Sequence, residues 1–550
     1  MECAAIAGIT QNPSSYNPIY YPNNNTRRRN DVLYNMYDQG YISKAEYMAC
    51  KYSKLKLNVG SGATSSTAVV DWYTDLVRED VLDDLIELGY SQKAATALLY
   101  QGGLKIYSAV DAKLQDICEK HFIDNAATLV PSLPELQASI FCMDYEGRVL
   151  ATVGRRGEKT GNRLYSLATA GQRQPGSSIK PLAVYSPSIE LGLIDWSTIL
   201  PDEPIELPNG SKYPTNSYKG YLGDITAQYA LEVSANAVSV QIVNGLLSID
   251  KAFQFAKYRY RLGSLYELYT RPDGSTTSDL TLSSMATGGT LIGVTVQDMT
   301  EAYAVFGNGG RYYESYSYYY VEDLEGNVIL DNRESNFEQV ISEGTAGVMN
   351  HMLQAVVQNK GKMRNTARGA KIGTWEIFGK TGTTNDFKDR WFMAGTPYCV
   401  AGVWCGYEEQ GKWISGDHHS VTIWRKVMAD YLADKEEIPF EPSDAIVERW
   451  YCTKTGGFAT SMCPNAALGW YKKDSNMGIC SEHTGGYVIR PGTTWTPPPE
   501  KPEKPEEPVV SEPAGDTSSE GTPSEPTSSG TTSSSPEQTT SEPPQSTTSG

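Results

Sequence analysis

Residues 170–181 have the sequence AGQRQPGSSIKP and contain the stretch that decides the fold, from Gly176 to Pro181. The Pro-Gly pair before Ser177 predicts a helix that begins close to this serine, and a proline such as Pro181 is tolerated in a first helical turn. Residues three apart on a helix share one face, so the amine of Lys180 can reach the hydroxyl of Ser177. A serine hydroxyl is a weak nucleophile that an adjacent base activates. The stretch therefore predicts a nucleophilic serine beside its base.

Two further motifs follow this S-x-x-K pattern along the chain. Ser234-Ala235-Asn236 has the pattern S-x-N, and Lys380-Thr381-Gly382 is a K-T-G segment that continues into Thr383 and Thr384. Apolar residues lie on both sides of K-T-G, at 375–379 and 391–406, so the segment is predicted to form a strand of a hairpin. S-x-x-K, S-x-N and K-T-G in this order are typical of a serine acyl-transfer site.

Each motif alone is weak evidence, because copies occur elsewhere in the chain. Ser53-Lys56 and Ser248-Lys251 also match S-x-x-K, and Lys454-Thr455-Gly456 repeats K-T-G. Neither serine follows a Pro-Gly pair, and the second K-T-G lacks a clear strand before it. The ordinary interpretation of a single match is a solvated Ser or Lys on the surface. Order and context therefore select Ser177.

The segments around the motifs resemble a known family. The three segments are AGQRQPGSSIKP, ALEVSANAVSVQIV at 230–243 and FGKTGTTNDFKDRWFMAGTP at 378–397. They are similar to the transpeptidase domain of class A (bifunctional) penicillin-binding proteins. GGLKIYSAVDAKLQ (102–115), LQASIFCMDYEGRVLATVGRRG (136–157) and GVTVQDMTEAYAVFGNGG (293–310) extend the likeness, which covers about residues 100–410.

This resemblance implies an α+β fold of the serine β-lactamase and DD-transpeptidase type, with an antiparallel sheet packed between helices. It also implies that the serine attacks peptidoglycan stem peptides ending in D-Ala-D-Ala, that β-lactam antibiotics acylate the same serine, and that no cofactor is needed. The implied catalytic residues are Ser177, Lys180, Ser234 and Lys380. The implied substrate-binding residues are Asn236, Thr381, Gly382, Thr383 and Thr384, with backbone N–H groups of Ser177 and Thr383 forming the oxyanion hole.

Two other functions use the same nucleophile. A serine β-lactamase needs a second base that hydrolyses the acyl-enzyme, and Ser234-Ala235-Asn236 in place of S-D-N counts against it. A non-catalytic β-lactam-binding sensor or wall scaffold would keep the nucleophilic serine but would not turn over a peptide substrate. Penicillin would label all three proteins, so turnover of a D-Ala-D-Ala peptide and the lifetime of the acyl-enzyme distinguish them.

The first fifty residues carry a second resemblance. ECAAIAGITQNPSSYNP (2–18) and RRRNDVLYNMYDQGYISKAEY (27–47) are similar to the end of the glycosyltransferase module of the same proteins. That module carries its own catalytic glutamate and follows a membrane anchor, so we expect this chain to be the C-terminal part of a longer protein or a gene product that has lost its front. On this expectation the chain alone does not polymerise lipid-linked disaccharide.

Composition restricts the partners. The net charge of −18 and the pI near 4.9 leave no basic patch for a polyanion, which argues against nucleic acid. No run of eighteen apolar residues occurs, and residues 3–9 lack the basic flank of a signal peptide. We therefore expect contact with the membrane only through the missing N-terminal part. The resemblance places the protein at the cell wall, on the extracytoplasmic face of a bacterial membrane.

Shifts in composition predict five regions. These are a glycosyltransferase remnant at 1–57, a linker region at 58–135, the transpeptidase domain at 136–440, a Cys-containing extension at 441–497 and a tail at 498–550. Within the remnant, residues 19–30 are rich in Asn, Pro and Arg and predict a loop before a helix from about residue 31 to 57. The tail is rich in Pro, Ser, Thr and Glu and cannot bury enough apolar surface to order itself.

The extension raises the question of a metal. Cys452, Cys463, Cys480 and His483 lie close together in sequence, but the C-x-x-C knuckle usual for zinc is absent. A disulfide, free thiols and zinc remain open in that order of preference, and no metal ligand is assigned. We expect a disulfide between Cys452 and either Cys463 or Cys480, because a loop-rich segment gains from a covalent link. Three other cysteines in apolar runs are expected to be small core residues, namely Cys142, Cys399 and Cys405.

Overall fold

The structure is a computed structural model that describes residues 1–19, 21–57, 69–334, 336–358, 367–408, 412–416 and 418–498. Residues 58–68, at the start of the predicted linker region, and the tail beyond residue 498 lie outside the described residues. None of the described helices combines the length and the apolar character needed to cross a bilayer.

Helices and strands alternate irregularly along the chain. The helices are α1 (Glu2–Ile9), α2 (Pro13–Tyr16), α3 (Pro22–Asp38), α4 (Lys44–Tyr52), α5 (Trp72–Glu87), α6 (Gln92–Gln101), α7 (Ala112–Glu119), α8 (Ala126–Leu129), α9 (Ser186–Glu190), α10 (Ala227–Glu232), α11 (Asn236–Ile242), α12 (Ile249–Gln254), α13 (Leu282–Thr287), α14 (Val296–Ala304), α15 (Glu343–Gln358) and α16 (His419–Leu432). The strands are β1 (Lys105–Ser108), β2 (Gln137–Met143), β3 (Val149–Val153), β4 (Ile199–Asp202), β5 (Ile205–Glu206), β6 (Lys212–Tyr213), β7 (Gly223–Thr226), β8 (Tyr269–Thr270), β9 (Thr276–Thr277), β10 (Arg311–Tyr313), β11 (Tyr318–Glu322), β12 (Val328–Asp331), β13 (Phe337–Gln339), β14 (Phe378–Thr383), β15 (Asp389–Thr396), β16 (Cys399–Gly406), β17 (Ile446–Cys452) and β18 (Ala466–Lys472).

Five strands form the central antiparallel sheet, in the order β14-β15-β16-β2-β3. The strands β15 and β16 are buried along their whole length, so both faces of the sheet are covered. A Cβ at Gly402 would lie 2.5 Å from Oγ1 of Thr300 in α14, whereas Phe392 packs edge-on against Trp424 of α16. Phe392 is paired with the neighbour of Gly402, so these two residues point to opposite faces. The expected antiparallel sheet between helices is confirmed.

The N-terminal helices form a small helical cluster. The helix α1 packs on α3 and buries Ala4, Ala5 and Leu33. The predicted loop at 19–30 is wrong, because α3 already begins at Pro22. Proline is favoured in the first turn of a helix, where its missing N–H costs no hydrogen bond. Asn25 is buried in α3 and donates from Nδ2 to the carbonyl of Tyr16 at 2.8 Å, which fixes the polar start of this helix.

The C-terminal extension is built on the hairpin of β17 and β18, which packs against α15. The ring of His351 in α15 stacks on Trp470 of β18, with ring centroids 4.0 Å apart and planes 3° from parallel. Gly347 of α15 leaves room for Ile446 of β17, whose Cδ1 would lie 3.2 Å from an added Cβ. The extension therefore covers a face of α15 with side-chain contacts.

All nine cysteines are free thiols. Cys142, Cys399 and Cys405 are buried in the central sheet, as expected for small core residues. The predicted disulfide from Cys452 to Cys463 or Cys480 is wrong. The physical reason is that the sulfurs of Cys452 and Cys480 both face Nδ1 of His483 instead of forming a bond with each other.

Candidate active site

The predicted nucleophile lies at the start of a helical segment. Residues Gly176–Ile179 form a 3₁₀ turn that continues without a break into a π turn, Pro181–Tyr185. The backbone N–H of Lys180 donates to the carbonyl of Ser177, and side chains three apart lie above one another in such a turn. Ser177 is partly exposed, whereas Lys180 is fully buried. The structure thus places a partly exposed serine and a buried lysine three residues apart in one turn.

The nucleophile turn packs closely against β14, and glycines make this possible. An added Cβ at Gly382 would lie 2.2 Å from the carbonyl oxygen of Pro175 and 2.8 Å from Oγ of Ser178. Gly176 has a φ of +54° and faces the backbone of Thr383, whose carbonyl oxygen would lie 2.4 Å from an added Cβ. The absence of a side chain at Gly382 therefore serves the contact between strand and nucleophile turn.

Lys180 is held by the S-x-N motif. Its Nζ donates to the backbone carbonyl of Ser234 at 2.8 Å and to Oδ1 of Asn236 at 2.7 Å, and it lies 3.4 Å from Oγ of Ser234. Burial lowers the pKa of Lys180 well below its ordinary value, and the nearby charge of Lys380 lowers this pKa further. A buried amine with such a lowered pKa can accept a proton near neutral pH.

Lys380 approaches the same serine from the other side. Its Nζ donates to Oγ of Ser234 at 2.9 Å and to the carbonyl of Thr381 at 3.1 Å. Burial lowers the pKa of Lys380 to about 7. The hydroxyl of Ser234 is therefore placed between two buried amines, which makes it suited to pass protons between them and a third group.

Ser234 owes this position to an unusual backbone conformation. It lies in the tight turn between α10 and α11 and has a φ of +58°, in the left-handed region that residues other than glycine rarely adopt. The conformation directs both its carbonyl and its hydroxyl toward Lys180. Residues held in such a conformation are frequent at functional sites, where the surrounding structure compensates the strain.

A buried carboxylate behind the site was not found from the sequence. Asp202, at the end of β4, accepts hydrogen bonds from Tyr218, from the backbone N–H of Leu222 and from Nδ2 of Asn216. The side-chain oxygen of Asn216 in turn accepts the backbone N–H of Asn236 at 2.8 Å. Asp202 and Asn216 thus orient Asn236 without belonging to any motif, and the sequence around Asp202, with Glu203 beside it and Glu206 close by, gives no signal for this role.

The threonines after Lys380 lie in different environments. Thr381 is buried in β14, and Thr383 is partly exposed with its Oγ1 accepting from Arg390 at 3.1 Å. The hydroxyl of Thr384 accepts the backbone N–H groups of Lys388 and Asp389 at 3.2 and 3.1 Å. Thr384 therefore closes the turn before β15, and its expected contact with the substrate stays a prediction.

The duplicate motifs lie elsewhere in ordinary structural roles. Ser53 donates to the carbonyl of Ala49 at the end of α4, and Ser248 caps the N-terminus of α12. Lys454 of the second K-T-G forms an exposed ion pair with Glu482 at 2.5 Å. The expected lack of a strand before the second K-T-G is wrong, because β17 ends at Cys452, two residues before Lys454. The remaining sequence context still separates the convergent set of motifs from these copies.

Comparison with known proteins gives the same family as the motifs. Residues 138–408 match the model described as "Penicillin binding protein transpeptidase domain". Penicillin-binding protein 1A of Clostridium perfringens strain 13 is 31% identical over 480 residues, which cover 82% of this chain and 67% of that protein. Penicillin-binding protein 1A of Clostridium botulinum strain Hall is 32% identical over 459 residues, which cover 78% of this chain and 52% of that protein.

The fold is shared with a solved structure. The crystal structure of penicillin-binding protein 1A from Haemophilus influenzae superposes with a TM-score of 0.62 at 20% identity, covering 88% of this chain and 86% of that chain. The chain spans about half the length of the first curated relatives it matches. It belongs to the class A penicillin-binding proteins, and it contains their transpeptidase domain.

Proposed function

We propose that this chain is a serine DD-transpeptidase, which cross-links the stem peptides of peptidoglycan on the extracytoplasmic side of a bacterial membrane. The observation that carries the proposal is the position of Ser234, whose hydroxyl lies between the buried amines of Lys180 and Lys380. Lys180 follows Ser177 by one helical turn. A nucleophile, a base of lowered pKa and a proton relay are the groups that acyl transfer requires.

In the first step, Ser177 Oγ attacks the carbonyl carbon of the penultimate D-Ala, and the hydroxyl proton passes to the neutral amine of Lys180. The negative charge that develops on the carbonyl oxygen is stabilised by the backbone N–H groups of Ser177 and Thr383. The peptide C–N bond then breaks. The leaving amine takes a proton through the hydroxyl of Ser234, and the terminal D-Ala departs with the donor peptide bound to Ser177 as an ester.

In the second step, an amine of a neighbouring stem peptide attacks the ester. Its proton passes to the same base, the C–O bond to Ser177 breaks, and the serine hydroxyl is restored. Water in place of the amine gives carboxypeptidase activity. A β-lactam enters the first step as an analogue of D-Ala-D-Ala, and its ring opens without losing a leaving group that could diffuse away, so we expect the acyl-enzyme to persist.

The test uses the purified chain with a fluorescent penicillin and, separately, a D-Ala-D-Ala peptide. Ser177→Ala is expected to abolish labelling, because no other group at the site forms the ester. Lys180→Ala is expected to slow acylation by about 10²–10⁴-fold, the usual effect of removing a positioned base. Ser248→Ala and Lys454→Ala are matched controls in the duplicate motifs and are expected to label like the wild type.

Three measurements separate this function from the two alternatives. D-Ala release from the peptide, measured by chromatography, is expected for a transpeptidase. Rapid turnover of a chromogenic cephalosporin would instead identify a β-lactamase. Stable labelling without any D-Ala release or cross-linked product would identify a non-catalytic sensor. Labelling retained in Ser177→Ala would refute the assignment of the nucleophile.

A further inference from the structure

Four side chains of the C-terminal extension converge on one point. Cys452 ends β17, Cys463 closes a short turn with Thr460, and Cys480 and His483 follow β18. The ligand atoms of these four residues all lie within 4.8 Å of one another. The sequence alone favours a disulfide over zinc, and this convergence reverses that order.

The distances match those of a tetrahedral metal site. Nδ1 of His483 lies 3.5 Å from the sulfur of Cys452 and 3.3 Å from that of Cys480. Zinc bonds of about 2.3 Å to sulfur and about 2.0–2.1 Å to nitrogen give a sulfur–nitrogen edge of about 3.6 Å in a tetrahedron. The sulfur–sulfur edge of such a tetrahedron is about 3.8 Å. Because the four ligand atoms lie within 4.8 Å of one another, a metal ion at the centre needs the side chains to close in by about 1 Å or less.

The surroundings suit bound thiolates. Cys452, Cys463 and Cys480 are buried, and a small satellite core that includes Ala459 and Ile489 encloses them. Backbone N–H groups point at two of the sulfurs, from Thr460 to Cys463 at 3.3 Å and from His483 to Cys480 at 3.4 Å. Hydrogen bonds of this kind to the ligand atoms commonly orient and stabilise the ligands of metal sites.

We propose that Cys452, Cys463, Cys480 and His483 bind one Zn²⁺ ion in a closed structural site. Three thiolates and an imidazole are ligands typical of zinc, whereas Mg²⁺ and Ca²⁺ require oxygen ligands. Four protein ligands complete a tetrahedron and leave no position for a reactive water, so the site stabilises the fold and takes no part in acyl transfer.

The site would fasten the extension to the rest of the domain. The turn after Cys452 contains Gly456, whose carbonyl accepts a hydrogen bond from Ser197 Oγ at 2.6 Å. Ser197 Oγ also accepts from the hydroxyl of Tyr471 in β18 at 2.7 Å. An added Cβ at Gly456 would lie 2.3 Å from the carbonyl oxygen of Ser197. The second K-T-G, which includes Gly456, therefore belongs to the docking turn of the zinc site.

The test measures the metal content of the full chain, purified under reducing conditions without chelator and supplied with zinc. Elemental analysis is expected to find one zinc per chain. Replacement by Co²⁺ is expected to give the intense visible bands of tetrahedral cobalt together with thiolate-to-cobalt charge transfer. In Cys480→Ser and His483→Ala, zinc content is expected to fall roughly tenfold or more, because a structural site needs all four ligands.

Cys50→Ser is the matched control, since it makes the same thiol-to-hydroxyl change in α4, outside the cluster, and is expected to keep the zinc. Penicillin labelling of each variant reports whether the transpeptidase domain has folded. Absence of zinc from the reduced wild type, iron in its place, a mapped disulfide between two of the three cysteines, or full zinc content in Cys480→Ser and His483→Ala would each overturn the proposal.

Discussion

Replacing Gly382 by alanine tests how closely the nucleophile turn must pack against β14. The new Cβ would lie 2.2 Å from the carbonyl oxygen of Pro175, about 1.2 Å short of the 3.4 Å at which ordinary van der Waals contact begins. It would also lie 2.8 Å from Oγ of Ser178 and 3.0 Å from Cβ of Trp391. The obstacle includes backbone on one side and a buried tryptophan on the other, so the turn that carries Ser177 must move.

A displacement of about 1 Å at reacting groups can cost about 10²-fold in rate, so we expect Gly382→Ala to slow acylation by about that factor. The expected loss of stability is about 1–3 kcal/mol, the usual cost of overpacking a close contact. Stopped-flow acylation by a fluorescent penicillin measures the first quantity, and chemical denaturation measures the second. Gly245→Ala is the control, because nothing lies within 4 Å of its added Cβ.

The outcome also separates two explanations of this glycine. If Gly382 served only to let substrate lie against the strand, the variant would lose affinity for the peptide but keep its stability. Wild-type acylation by penicillin together with unchanged stability would show that the strand and the nucleophile turn are not packed as described.

Two further predictions concern the groups around Ser234. Lys380→Met is expected to slow acylation yet raise the melting temperature at pH 6.5. Burial lowers the pKa of Lys380 to about 7, whereas the unfolded chain keeps the ordinary value near 10.5. The wild type therefore gains stability as the pH rises between these two values, and the stability advantage of the variant should shrink by pH 9.5. A pH-independent difference in melting temperature would contradict this reasoning. Ser234→Ala and Ser234→Gly both remove the hydroxyl and are expected to slow acylation alike, but the glycine variant should be more stable by about 1–2 kcal/mol because φ is +58° at this position. Equal stabilities in chemical denaturation would mean that the turn carries no strain.

The sequence was sufficient for the parts of the site that depend on local chemistry. The turn that joins Ser177 to Lys180, the strand that carries Lys380 and the hairpin after it all follow from residue types within a few positions. Their convergence was predicted from the order of the three motifs together with their context, since order alone also admits the copies at Ser53-Lys56 and Lys454. Local patterns of this kind also predicted the antiparallel sheet between helices.

Features that depend on distant contacts could not be predicted. Asp202 supports Asn236 through Asn216, and no spacing indicates that these three residues meet. Glycine is needed at position 382 because the backbone of Pro175, far away in sequence, packs against it. For the cysteines, the absence of C-x-x-C argues against zinc, whereas the three-residue separation of Cys480 and His483 suits two ligands of one ion.

The helix α15 has a consequence for where the chain can be shortened. It packs against β14, the strand of Lys380, and it also contacts both strands of the extension. A truncation near residue 440 would remove Trp470 from the ring of His351 and Ile446 from Gly347, leaving a largely apolar helix uncovered beside the catalytic strand. The smallest stable transpeptidase unit of this protein should therefore include the extension through residue 498, and a fragment cut at the end of α16 should aggregate.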